Sequence, residues 1–202
     1  MAPDRPIPAL PVRLALATAQ ALRRLNTGVA LLCGLALVGT VAMVLAEIVL
    51  RRVAGRGLGG SDEIAGYVMA GVAAWGLAYA LGERAHVRID VATARLPAPG
   101  RAGFDLLALV ATTFVAWLVS VYAWRVLSRS LDRGATANTP LETPLWIPQS
   151  VWFAGWAWLT VVAGLLTLCV TVLIAARRWG PVQSIAGTQS EAEEVLTSEG
   201  RA

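Results

Sequence analysis

Four long stretches of this chain carry almost no charge, and that pattern constrains the fold more than any other feature. They are 27–50, 64–81, 104–126 and 150–176. A helix rising 1.5 Å per residue needs about 20 predominantly apolar residues to cross a hydrocarbon core about 30 Å thick. The stretches reach or approach that length, so the predicted fold class is all-α integral membrane, with four transmembrane helices and short interfacial amphipathic helices. Hydrophobic residues make up 56% of the 202 and charged residues only 15%, against roughly 25% charged in soluble chains. The connections between the stretches are too short to bury a soluble catalytic core.

Residues 1–26 read as a proline-rich start followed by an interfacial helix over 9–25, residues 27–179 as the four-helix domain, and 180–202 as a disordered tail with Glu191, Glu193, Glu194 and Glu199. The fourth crossing is predicted to be the longest. Ser61 and Asp62 stand where they would cap the second helix. Between the second and third crossings, Ile89, Ala92 and Leu96 share a helical face that Pro97 ends. Residues 127–149 contain Thr139-Pro140-Leu141-Glu142-Thr143-Pro144, whose two prolines predict an extended, exposed connection. Trp152, Trp156 and Trp158 at one end of the last stretch, with Arg177, Arg178 and Trp179 at the other, suit headgroup depth.

Gly66, Ala70, Ala74, Ala78 and Gly82 recur every fourth residue along the second crossing. Small side chains let backbones approach closely where lipid supplies no hydrophobic drive, so these positions are predicted to pack against a helix of this chain or of a partner. The alternative is a merely alanine-rich helix.

Candidate chemistry is sparse. The chain has seventeen basic residues, all arginine, and one histidine, His86. The arginines form no continuous basic stripe with interleaved aromatics, which argues against nucleic-acid binding. Cys33 and Cys169 lie inside apolar runs without a Cys-x-x-Cys spacing. No convergent histidine, cysteine and carboxylate set predicts a metal or haem, so catalytic residues, metal and cofactor are each expected to be none and the chain is read as not an enzyme. Eleven arginines fall in the N-terminal segment, the 83–103 connection and the C-terminal tail, against six in the other two connections and at the end of the third crossing that leads into the second of them. The richer side is expected to be cytoplasmic, with both termini there.

Glu47 is the one acid well inside an apolar run, and Arg51 follows four residues later in the favourable acid-before-base order. An interfacial ion pair is the expected role. A coupling-ion or substrate contact is the alternative.

The order of these features resembles a known family. Glu47 and Arg51 end the first crossing, Ser61-Asp62-Glu63 opens a glycine- and alanine-rich helix, and His86-Val87-Arg88-Ile89-Asp90 precedes Leu96-Pro97. Thr143-Pro144 then stands ahead of Ile147-Pro148. The pattern is similar to the small permease subunit, DctQ type, of tripartite ATP-independent periplasmic (TRAP) transporters. In that family the acid pair is often two glutamates; the matching positions here are Asp62 and Glu63, and the family's histidine and aspartate fall on His86 and Asp90. The resemblance implies a scaffold in a bacterial inner membrane, beside a separate large permease subunit that moves organic acids with a sodium gradient. A periplasmic substrate-binding protein would deliver the acid. Arg52, Arg56, Arg129 and Arg133 lie in the two connections expected to face it and are candidate docking residues. A self-sufficient four-helix exporter using Glu47, and a membrane anchor for a redox enzyme, are the competing classes.

Overall fold

A computed structural model describes residues 10–57, 59–84 and 96–187. Among these residues five helices follow in order: α1 Leu10–Ala54, α2 Ser61–Gly82, α3 Ala98–Arg133, α4 Trp146–Ala175 and α5 Trp179–Ala186. The first four are long and apolar enough to cross a membrane. The protein is therefore an all-α membrane protein, and the described residues contain no strand beyond one isolated bridge, Thr136 to Pro144.

The helices outrun the lipid-length stretches that the sequence marks. α1 has 45 residues in one piece, where a break near Asn26 separated an interfacial helix from the first crossing. No proline or glycine stands between Pro11 and Gly28, and the Asn26 side chain bonds to other helices instead of to its own backbone. α1 rather than α4 is the longest helix, since α4 has 30 residues. α3 begins just after Pro97, whose extended backbone forms its N-cap, and continues to Gly134. Gly134 takes the left-handed conformation at φ 57°, a helix stop that glycine adopts without steric cost.

Three further expectations are corrected. The N-cap of α2 is Gly60 at φ 83°, with no side-chain cap, and Ser61 lies buried inside the helix. The connection between α3 and α4 shrinks to 134–145 and folds back on itself, with Ala137 N–H donating to Thr143 O at 2.9 Å and Leu145 N–H to Ala135 O at 2.9 Å. The tail does not become irregular at Gly180. Val182 and Ala186 are buried as α5 packs on α3 and α4.

α4 is the hub: it packs against α1, α2 and α3, and α1 also packs against α2. α2 and α4 run parallel, because Gly71 meets Val151 and Ala74 meets Gly155. On the opposite side of α4, hydroxyl pairs tie it to α3, Thr113 to Thr167 at 3.1 Å and Ser120 to Thr160 at 3.0 Å. At 3.6 residues per turn, positions 151 and 155 lie roughly opposite 160 and 167, which lets one helix serve two neighbours.

The every-fourth-residue series on α2 does not make one face. Each step of four advances about 40°, so five positions turn through about 160°. Ala74 and Ala78 are buried, whereas Gly66 and Ala70 are exposed. Gly71, Ala74, Ala78 and Leu81 form the buried side. Its tightest point is Gly155, where an added Cβ would stand 2.8 Å from the Ala74 Cβ and 3.0 Å from the Ala74 carbonyl carbon.

Two helix ends carry arginine where glycine is usual. Arg84 after α2 has φ 57° and Arg177 after α4 has φ 53°. At α4 the stop is a Schellman motif, Arg177 N–H donating to Ile174 O and Arg178 N–H to Leu173 O, both 2.9 Å. A residue with a Cβ costs about 1–2 kcal/mol in that conformation.

Two alanine substitutions should therefore have opposite signs. Gly155→Ala should destabilise the purified chain by about 1–3 kcal/mol through overpacking. Gly39→Ala, where an added Cβ meets nothing within 4 Å, should be neutral or stabilise by up to about 1 kcal/mol by removing helix-interior glycine. Unfolding in mixed micelles measures both, and equal effects would disprove the close α2–α4 approach.

Candidate functional site

Polar groups gather at the two ends of the bundle. At one end the α1–α2 and α3–α4 connections meet, because Leu141 lies over Gly60 closely enough that a Cβ there would collide with it. Glu47 sits near this end of α1 and is 5% exposed. Arg51 donates to its Oε1 at 2.7 Å. The connection folds back over the carboxylate, since a Cβ at Gly57 would strike Glu47 Oε1. Burial of the carboxylate thus comes from its own loop and an adjacent arginine.

Asp62 is exposed in the first turn of α2, and Glu63 is half-buried and accepts a hydrogen bond from Tyr67 Oη at 2.7 Å. The negative charges suit the positive end of the helix dipole. Arg52, Arg56, Arg129 and Arg133 are all exposed at this same end, the first two beside the α1–α2 connection and the others in the last turns of α3. The fold brings the two arginine pairs to one end of the molecule. His86 and Asp90 lie outside the described residues.

Sequence reasoning missed the polar contacts near the opposite end. Asn26 is 1% exposed and uses both halves of its amide. Nδ2 donates to Ala78 O at 2.9 Å, and Oδ1 accepts from Trp158 Nε1 at 2.9 Å. One side chain therefore links α1, α2 and α4. Three residues before it, Arg23 makes a two-pronged pair with Glu83, Nε to Oε1 at 2.8 Å and Nη2 to Oε2 at 2.7 Å. The available signal was an asparagine at the edge of an apolar run, and it stood where a helix boundary was expected.

Among the described residues no group of three or more histidine, cysteine, aspartate or glutamate side chains converges on a metal-sized site. The arrangement is that of a multi-pass helical membrane protein whose polar side chains join helices and line the two bundle ends. The profile of the family described as tripartite ATP-independent periplasmic transporters, DctQ component, matches residues 40–173. The chain belongs to that family and is one component of a TRAP transporter. No curated protein and no solved structure gives a significant match.

Two measurements test the interior contacts. Asn26→Leu should cost about 1–2 kcal/mol, because the indole N–H of Trp158 loses its acceptor in a low-polarity setting. The stabilisation should reappear with Asn26→Gln only if the amide still reaches Trp158. Separately, the hydrogen bonds from Arg23 hold the Glu83 carboxyl below its ordinary value of 4.5. A depressed carboxyl contributes stability above pH 4.5 that is lost as pH falls through the lower folded value. The thermal midpoint of the native chain should exceed that of Glu83→Gln at pH 7, and the gap should close in acid. A gap that stays constant to pH 3 would refute the pairing.

Proposed function

We propose that this chain is the scaffold subunit of its transporter, supporting sodium-driven uptake of organic acids by a separate large permease subunit that a periplasmic binding protein supplies. The observation that carries this reading is the surface of α1. No residue is buried in its most apolar 18-residue stretch, whereas 39% of the corresponding stretch of α4 is buried. Leu10, Leu14, Leu25, Leu32 and Leu35 are each more than half exposed, and at 3.6 residues per turn they fall within a sector of about 80°.

Lipid alone accounts poorly for that surface. From Leu10 to the still more exposed Val53 the helix rises about 64 Å, more than twice the hydrocarbon thickness. Holding both ends in lipid would need a tilt of about 60°, beyond the 0–40° found for spanning helices. Part of the apolar face must therefore lie beyond the lipid core, where a large membrane protein alongside would cover it. The family assignment supports the same partner.

The exporter reading is weaker, because Glu47 is buried against Arg51 and the Gly57 connection near the end of α1. The eleven-to-six arginine division supports cytoplasmic termini in the inner membrane, which puts Arg52, Arg56, Arg129 and Arg133 on the periplasmic side for the binding protein.

In reconstituted vesicles, Leu14→Glu should reduce retention of the large permease on purified complexes. Arg52→Glu combined with Arg129→Glu should leave retention intact and raise the binding-protein concentration for half-maximal uptake, at unchanged sodium dependence. Glu47→Gln should lower stability more than ion coupling. If Leu14→Glu leaves the complex intact, or if well-assembled Glu47→Gln complexes lose sodium dependence, the scaffold reading fails.

A further inference from the structure

We propose that Glu63 is a positioning residue, whose carboxylate seats the connection between α3 and α4 on the start of α2 and so presents it as a preformed contact for the periplasmic binding protein. The identity of that partner rests on the function proposed above; the seating does not.

Two antiparallel neighbouring helices can be joined by about 2–5 residues. α3 and α4 pair closely through Thr113 with Thr167 and Ser120 with Thr160, yet the whole of 134–145 joins them. The extra length is ordered. Ala137 N–H donates to Thr143 O and Leu145 N–H to Ala135 O, both at 2.9 Å, and Thr136 bridges to Pro144. The connection is therefore a short hairpin. Its tip is the turn Thr139-Pro140-Leu141-Glu142, closed by Glu142 N–H donating to Thr139 O at 3.0 Å, with the proline ring fixing one of its dihedrals. Glu142 stands at φ 45°, an unfavourable conformation for a residue with a Cβ. Such backbone persists where its surroundings hold it in place.

The hold comes from α2. The tip crosses to Gly60, where an added Cβ would collide with Leu141. Three residues on, Glu63 Oε1 accepts from Tyr67 Oη at 2.7 Å, and Oε2 is shielded from solvent without a hydrogen bond of its own. Asp62 beside it is exposed. Besides Tyr67, the polar groups that face the Glu63 carboxylate all belong to the hairpin: the hydroxyls of Thr139 and Thr143 and the backbone of Leu141. Hydrogen bonds to an ionised carboxylate are the strong kind, so these donors favour a hairpin closed over Glu63.

What the seating delivers is a fixed tip. Pro140, Leu141 and Glu142 remain exposed on it. A contact ordered before its partner arrives loses little conformational freedom on binding. Charges of both signs, Glu142, Arg129 and Arg133, stand exposed on the hairpin and the helix end that leads into it, which suits transient docking of a soluble protein.

The test uses the assembled transporter in vesicles. Glu63→Gln, which keeps the shape and removes the charge, should speed amide exchange at Ala137, Glu142 and Leu145 about tenfold and leave α4 unchanged. It should raise the binding-protein concentration for half-maximal uptake about threefold, at an unchanged maximal rate and with the large permease retained. Thr139→Val with Thr143→Val should do the same from the other side of the contact, and adding Glu63→Gln to that pair should change little further. Asp62→Asn, which removes the same charge from the same helix end, should alter neither quantity. Unaltered exchange in Glu63→Gln overturns the seating. Faster exchange with an unaltered half-maximal concentration overturns the hairpin as a docking contact, and an Asp62→Asn that matches Glu63→Gln reduces the effect to helix-end charge and overturns the positioning role. A native complex whose uptake needs no binding protein overturns instead the function proposed above, and the partner named here with it, whatever the exchange shows.

Discussion

The amide of Asn26 holds three spanning helices together, and the geometry of one end of the bundle depends on it. Helices in lipid gain nothing from further hydrophobic burial, so close packing and hydrogen bonds must decide which faces meet. Asn26 bonds to the α2 backbone and the α4 indole at once. That double contact sets the register of α1 against α2, and the register brings Arg23 to Glu83. The position of the end of α2, from which Arg84 donates to Gln183 O of α5, follows from the same alignment.

The packing divides the chain into a built core and an arm. α4 receives α2 on one side and α3 on the other, through the Ala74–Gly155 approach and the two hydroxyl pairs. Each of those pairs has two protons for three contacts, one between the helices and two to carbonyls four residues back, so the hydroxyl that donates across does so in place of its own carbonyl. α1 joins this core near Asn26, and its most apolar stretch contributes nothing to the buried interior. The uncovered apolar face of α1 is what the scaffold role proposed above rests on.

Several features were readable from the residues because they are local. The Glu47–Arg51 contact spans one helical turn, so spacing alone brings the groups together. The number and order of spanning helices follow from runs of apolar residues. Helix ends were misread where lipid length was taken for helix length, as in α1 and α3. The small-residue series on α2 looked like a single stripe because a spacing of four is close to the helical repeat. The remaining 40° per step carries Gly66 and Ala70 round to the exposed side.

The sequence by itself determined the class of protein, the number of spanning helices, the arginine bias and, through its ordered motifs, the family. These depend on composition and near-neighbour spacing, and the bilayer admits few other solutions for such segments. Only the tertiary structure decided that Asn26 is a joint, that Leu141 closes over Gly60 and the first connection over Glu47, and that Arg84 at the end of α2 reaches Gln183 of α5. Each of those depends on residues far apart in the chain meeting at a particular rotation of two helices. In lipid, small differences in packing and single hydrogen bonds set that rotation, and neither leaves a periodic trace in the sequence.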